Sequence, residues 1–182
     1  MQNKVNQLIK KCKRGNQVAQ MQIYDSYCNA MYNVALRYLK NEEDAKDVMQ
    51  EGFLKAFLNI EYYEETATFG SWLKRIIINK CIDMIRKHQF DTKSLENENL
   101  HIVDDNDWQF ESSITKEQIV KTIKQLPEKY RLVITLYLIE GYDHEEISQI
   151  LDIAIKTSRT QLRRAKLQLQ EQLKTQYNEA RY

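Results

Sequence analysis

A chain of 182 residues is long enough for one domain or two small ones, and 42% hydrophobic with 29% charged content suits a soluble globular protein. One Pro and four Gly make it poor in turn formers, so an all-α fold is expected and a strand-rich one is disfavoured. The net charge of +1 hides a pattern: +4 over residues 1–90, −6 over 91–113 and +3 over 114–182, two mildly basic blocks about an acidic connector.

The first fifteen residues carry Lys4, Lys10, Lys11, Lys13 and Arg14 without the apolar run of a signal peptide. Asn41 then opens a helix, with Asp44 as its capping-box partner. Ala45, Val48, Met49, Gly52, Phe53, Ala56 and Phe57 follow at steps of three and four and form one apolar stripe. The opposite face holds Asp44, Asp47, Glu51, Leu54 and Leu58. Acidic groups beside exposed Leu suit a basic and apolar protein partner, and a solvated face with two stray leucines reads the same way.

After a polar irregular stretch from Glu61 to Thr68, Ser71 is the expected N-cap of a helix over Trp72–Lys87. Leu73, Ile76, Ile77, Cys81, Met84 and Ile85 supply its buried side. Trp72, Arg75, Asn79, Asp83 and Arg86 share another. An aromatic ring, an amide and two guanidiniums on one face suit stacking and hydrogen bonding to bases of opened DNA. A core Trp with a surface hydrogen-bond ladder fits equally well.

Residues 90–113 lack periodicity, centre on Asp104-Asp105-Asn106-Asp107 and read as a flexible acidic linker. Such a segment can mimic a nucleic-acid backbone or act as a solubilising tether. A helix resumes near Ile114 and stops at Leu126-Pro127, where Pro starts the next one. Tyr130, Val133, Ile134, Tyr137 and Leu138 form its stripe and Gly141 its C-terminal cap. Asp143 and Glu146 cap a further helix in which Ile147, Ile150 and Leu151 point inward. Asp152-Ile153-Ala154 makes a tight turn. In the last helix Ser158, Leu162, Ala165, Leu169 and Leu173 line the inner face, which leaves Lys156, Arg159, Thr160, Arg163 and Lys166 outside. Two helices across a short turn, the second with a cationic face, is the layout that enters a DNA major groove. Lys156, Thr157, Arg159 and Thr160 stand where base edges are read, and Arg163, Arg164 and Lys166 where phosphates are held. A basic helix for a calmodulin-like partner or a membrane surface is the competing reading.

Catalytic signatures are lacking. Cys12, Cys28 and Cys81 are odd in number and widely spaced, with no Cys-x-x-Cys pair, which fits a reducing cytosol. His144-Glu145-Glu146 has no second His at the spacing of a zinc helix, and neither a Gly-rich phosphate loop nor a nucleophile elbow occurs. No metal, no cofactor and no catalytic residue is expected, and no segment approaches the roughly 20 apolar residues that span a bilayer.

From about Val18 to Leu173 the chain resembles the extracytoplasmic-function (ECF) sigma factors of bacterial RNA polymerase. The resemblance is carried by Asp44-Ala45-x-Asp47-Val48-x-Gln50-Glu51-x-Phe53 and by Phe69-x-Ser71-Trp72-Leu73-x-x-Ile76-x-x-Asn79-x-x-Ile82-Asp83-x-x-Arg86-Lys87. Further on it is carried by Leu126-Pro127-x-x-Tyr130-Arg131-x-Val133, Gly141-Tyr142-x-x-Glu145-Glu146-Ile147-x-x-Ile150-Leu151, Thr157 and Leu162-x-Arg164-Ala165. It implies a region 2-like bundle over 1–89, a linker over 90–113 and a region 4-like helix-turn-helix over 114–182. It also implies that Asp44, Asp47, Gln50, Glu51 and Leu54 meet the clamp coiled coil of the polymerase core. Phe69, Ser71, Trp72, Arg75, Asn79 and Arg86 would open and read the minus-ten element as single strand. Lys156, Thr157, Arg159, Thr160, Arg163, Arg164 and Lys166 would read the minus-thirty-five element as duplex, beside the flap of the core. The implied protein is non-enzymatic, cytoplasmic on the nucleoid, and controlled by an anti-sigma factor that is often membrane-anchored. The competing function is a free-standing regulator that dimerises through its first block. The chain departs from the family at four positions. Ser158 stands where an apolar residue is usual, at an expected packing cost of about 1 kcal/mol or more. Gln161 lacks a cation, Asp152 replaces a turn Gly, and Ala154 replaces a capping hydroxyl worth about 1 kcal/mol.

Overall fold

The computed structural model describes residues 2–91 and 114–179. The chain divides into two compact units, residues 1–94 and 95–182. Among the described residues every regular element is helical. Residues 92–113, which hold nearly all of the expected acidic linker with Trp108 and Phe110, lie outside the described residues.

The first unit contains α1 (Gln2–Cys12), α2 (Gln17–Tyr38), α3 (Glu42–Leu58) and α4 (Phe69–Asp91), with a single 3-10 turn at Ile60–Tyr62. Gly15, at φ +75°, turns the chain between α1 and α2. Asn16 caps α2 by accepting the Ala19 N–H at 2.9 Å. Helices α2, α3 and α4 each pack on the other two, and α1 packs on α2. The shared core takes Ile23, Val34, Ala35 and Tyr38 from α2, Ala45, Val48, Phe53 and Ala56 from α3, and Leu73, Ile77, Ile78, Cys81 and Ile82 from α4. Each such Ile, Leu, Val or Phe stabilises the fold by about 1.5–3 kcal/mol relative to exposure. Burial also pushes the Cys81 thiol up to about 12, so it stays protonated and inert.

Three expectations need correction here. Asn41 does cap α3, but its Oδ1 accepts the Glu43 N–H at 2.8 Å rather than forming a reciprocal pair with Asp44. Asp is one methylene shorter than the Glu of a capping box. Helix α4 begins at Phe69, not after Ser71, and it runs on to Asp91. Its cap is Thr68, whose Oγ1 accepts the Ser71 N–H at 3.2 Å and lies 2.9 Å from Ser71 Oγ. Finally, Ile78 and Ile82 are buried while Ile76 and Met84 are only half-buried. Helix α4 is covered by both α2 and α3, so its buried arc is wider than one stripe.

The second unit contains α5 (Lys116–Gln125), α6 (Glu128–Ile134), a π-helical turn at Thr135–Ile139, α7 (His144–Leu151) and α8 (Ile155–Glu179). Helix α8 is the spine, packing on α5, α6 and α7. Thr115 opens α5 with a full capping box: its side chain accepts the Gln118 N–H, and Gln118 Oε1 accepts the Thr115 N–H at 2.8 Å. The expected stripe in α6 is also corrected. Tyr130, Leu132, Val133, Ile134 and Leu136 are buried, whereas Tyr137 and Leu138 are exposed. The π turn carries more residues per turn than an α-helix, so every side chain after Ile134 is rotated out of α register. Gly141, at φ +80°, ends this segment as the left-handed cap, and the Tyr142 N–H donates to Leu136 O at 3.0 Å.

Candidate functional site

In the first unit the outward face of α3 presents Asp47, Gln50, Glu51 and Leu54 to solvent, while Asp44 in the first turn is half-buried. Leu54 is 64% exposed and Leu58 82%, which places two apolar side chains four residues apart on the solvent side of the helix. Glu51 pairs with Lys80 of α4, which ties the acidic face to its neighbour. Tyr62, 79% exposed in the following 3-10 turn, is a further apolar group that period-based reading passed over.

The proposed DNA face of α4 rises from an aromatic bed. Phe69, Tyr63 and Trp72 form a triangle with centroids 5.3–5.6 Å apart, and the Tyr27 ring meets Phe69 edge-on at 5.5 Å. Gly70 fits beside Tyr27 because a Cβ there would stand 3.1 Å from Tyr27 Cε1. Trp72 is half-buried: part of its indole is seated on the other rings, and part remains accessible. That geometry lies between the two readings of the sequence, neither a core Trp nor a loose surface one. Arg75, Asn79 and Asp83 follow it along the helix and are exposed, and Arg86 is half-buried. Ser71 is exposed, its hydroxyl engaged with Thr68. Phe69 is a correction: it is fully buried, so it seats Trp72 and presents no surface of its own to a base.

The loop before α4 is held at its base. The Tyr63 hydroxyl donates to Ala67 O at 2.7 Å, and burial, with Glu65 and Tyr27 acting the same way, pushes its pKa above the usual phenol value. The hydroxyl therefore keeps the proton that it donates.

In the second unit Asp143 caps α7 by accepting the Glu145 and Glu146 N–H groups, both at 2.8 Å, and Glu146 returns a bond to the Asp143 N–H at 3.1 Å. Asp152 takes the left-handed conformation, φ 52° and ψ 50°, at the turn into α8. A short polar residue tolerates that region, which explains how Asp stands where Gly is usual. Lys156, Thr157, Arg159 and Thr160 are exposed in the first turns of α8, and Arg163, Arg164 and Lys166 are half-buried further along. Thr160 Oγ1 donates to Lys156 O at 2.9 Å, which leaves it only as an acceptor toward a base.

Ser158 is fully buried, and its Oγ lies 2.9 Å from His144 Nδ1. The expected packing defect is thus corrected: the hydroxyl has a partner, which offsets the desolvation that an unpaired group would suffer. His144 stacks on Tyr137 with ring centroids 5.0 Å apart, and the Lys166 ammonium lies over the Tyr137 ring, 5.9 Å from its centroid. Burial lowers the His144 pKa, Arg159 and Lys166 act in the same direction, and Asp143 opposes them. Spacing alone singles out neither His144 nor Tyr137 as a neighbour of α8.

Among the described residues no group of three or more His, Cys, Asp or Glu side chains could hold a metal ion, and no helix is long and apolar enough to cross a membrane.

Residues 23–90 match the family model for sigma-70 region 2, and residues 116–169 match that for sigma-70 region 4. The chain is 34% identical to the ECF RNA polymerase sigma factor SigW of Bacillus subtilis, an alignment covering 96% of this chain and 99% of that protein. It is 28% identical to the ECF RNA polymerase sigma-E factor of Haemophilus influenzae, over 91% of this chain and 93% of that protein. Its fold is similar to that of the sigma factor RpoE of Bartonella quintana, solved with the anti-sigma factor NepR: TM-score 0.56 at 23% identity, covering 85% of this chain and 96% of that one. It is also similar to CnrH, solved with the cytosolic domain of CnrY, with TM-score 0.54 at 23% identity, covering 92% and 96%.

Proposed function

This chain belongs to the ECF RNA polymerase sigma factors of the sigma-70 family, and we propose that its two units divide promoter recognition between opened and intact DNA. As a sigma factor it directs core polymerase to specific promoters and initiates DNA-templated transcription. In the proposed division residues 1–89 grip the core and open the minus-ten element. Residues 114–182 read the minus-thirty-five element, and the acidic residues 90–113 join the two. The chain needs no catalytic group of its own, because the core carries the chemistry.

Asp44, Asp47, Gln50, Glu51 and Leu54 meet the clamp coiled coil, where acidic groups steer a basic partner and Leu54 supplies apolar contact. Trp72, already seated on Tyr63 and Phe69, offers a base a stacking surface with little ordering left to do. Base–aromatic stacking of this kind is worth about 1–3 kcal/mol per base. Ser71, Arg75, Asn79 and Arg86 supply the hydrogen bonds beside it. On α8, Lys156, Thr157, Arg159 and Thr160 read base edges, and Arg163, Arg164 and Lys166 hold phosphates. Solved sigma factors of this fold carry anti-sigma partners, which supports the further reading that an anti-sigma factor holds this chain inactive.

The observation that carries the proposal is the half-seated Trp72 at the head of the exposed Arg75–Asn79–Asp83 face. A merely solvated helix has no use for it. The test is transcription in vitro. Core polymerase with this chain should give run-off product from a cognate promoter and core alone should not. A chain that fails to bind core would refute the reading.

A further inference from the structure

Helix α1 precedes the residues that match sigma-70 region 2, yet it reaches across the unit to the loop in front of α4. Leu8, Ile9 and Cys12 bury its apolar side. This fixes the end of the helix, where Lys13 stands half-buried. The Lys13 ammonium donates to Glu61 O at 3.3 Å and to Tyr63 O at 3.1 Å. Glu61 lies within the Ile60–Tyr62 turn and Tyr63 is its C-cap, positions whose carbonyl oxygens have no partner inside so short a helical segment. Two turns earlier on α1, Asn6 Nδ2 donates to Glu65 Oε2 at 3.2 Å, in the loop itself.

We propose that Lys13 is a positioning residue for promoter opening: it clamps Tyr63, and through Tyr63 it sets the loop of residues 63–68 and the seat of Trp72. Beyond its backbone N–H, which donates to Ile60 O, Tyr63 is gripped at three points. Its carbonyl is held by Lys13, its hydroxyl holds Ala67 O at 2.7 Å, and its ring touches Trp72 at 5.3 Å and Phe69 at 5.5 Å. Thr68, next after Ala67, caps α4 and so starts the helix that bears Trp72 and Asn79. A cation fifty residues away in sequence thus anchors the residue on which the stacking ring rests. A nonpolar side chain at position 13 leaves two carbonyls at the turn without this donor, and Tyr63 keeps its ring and hydroxyl contacts and the bond from its N–H to Ile60 O. Lysine suits the task, because its flexible stem lies along the surface while three donors share the ammonium.

The inference rests on the reading of α4 as the minus-ten surface, and the test separates the two. Holoenzyme is assembled from core and full-length chain carrying Lys13→Met, Lys13→Arg or Trp72→Ala. Three quantities are read on one promoter: affinity for core, affinity of the closed complex, and permanganate reactivity of minus-ten thymines over time. Lys13→Met should slow opening at least fivefold, with core affinity and closed-complex affinity within twofold of the parent. Lys13→Arg should recover most of the opening rate, and Trp72→Ala should lose it. Parental opening by Lys13→Met together with loss in Trp72→Ala overturns the inference and leaves the reading of α4 standing. Parental opening by Trp72→Ala overturns both. Equal loss of all three quantities in Lys13→Met makes Lys13 a general prop of the fold, and the assignment to opening fails.

Discussion

Between α7 and α8 the Ser158 hydroxyl faces His144 Nδ1 at 2.9 Å, in a seam otherwise closed by Ile147, Leu162 and Ala165. Removing the hydroxyl with Ser158→Ala should lower the stability of the second unit by about 1 kcal/mol, the usual net worth of one such bond. Urea titration followed by NMR signals of α7 and α8 measures it, and an unchanged midpoint would show that the bond is idle. The same seam should be pH-sensitive. The His144 pKa is lowered from its ordinary 6.5, so the unfolded chain takes up this proton more readily than the folded one. Stability contributed by the neutral ring is complete above pH 6.5 and is lost as the pH falls below it. His144→Gln should flatten that decline. Helical spacing placed Ser158 on the buried face correctly but could not show what it meets, because His144 lies across a turn, fourteen residues earlier. Phe69 was misread for the same reason: the first turn of α4 dips into an aromatic cluster assembled from four separated positions.

At the scale of elements, the crossing of α3 on α4 depends on Gly52. A Cβ at that position would stand only 2.2 Å from Ile77 Cδ1 but 3.9 Å from Ile77 Cα, so the buried Ile77 side chain fills the space that a side chain at position 52 would need. Gly52→Ala should destabilise the first unit by about 1–3 kcal/mol through overpacking. Ile77→Val, which removes that methyl group, should recover part of the loss in the double variant. Thermal unfolding of the four proteins of this cycle gives the coupling, and simple additivity would contradict the close approach. Capping chemistry made several boundaries readable: Asp143 with Glu146 was identified correctly, as was Gly141. Thr115 with Gln118 was equally legible in principle, a Thr-x-x-Gln pattern before a short apolar stripe, and was passed over. The π turn at Thr135–Ile139 was not legible, because its register shift follows from packing and not from any residue within it. Helices α1 and α2 carry no motif of the kind that marks α3, α4 and α8, although Asn16 marks the start of α2.

For the whole molecule, a net charge of +1 by itself argues weakly against a nucleic-acid partner, and the average misleads because basic and acidic blocks alternate along the chain. The order of the two blocks was more informative than either alone, and residues 23–90 and 116–169 match sigma-70 regions 2 and 4 in that order. What spacing could not supply was the surroundings of each surface: the ring seat beneath Trp72, the Lys13–Tyr63 bond behind it, and the His144–Ser158 seam under α8. The claim that one unit holds opened DNA and the other intact duplex is tested most directly by comparing Asn79→Ala with Arg163→Ala in holoenzyme on one promoter. Permanganate reactivity of minus-ten thymines is read beside the salt dependence of closed-complex formation. Asn79→Ala should lose opening and keep the parental salt slope. Arg163→Ala should lower the slope by about 1 and weaken binding without changing base preference, as expected for one lost phosphate contact. The reverse pattern, with opening lost in Arg163→Ala and duplex binding lost in Asn79→Ala, would contradict the division of labour.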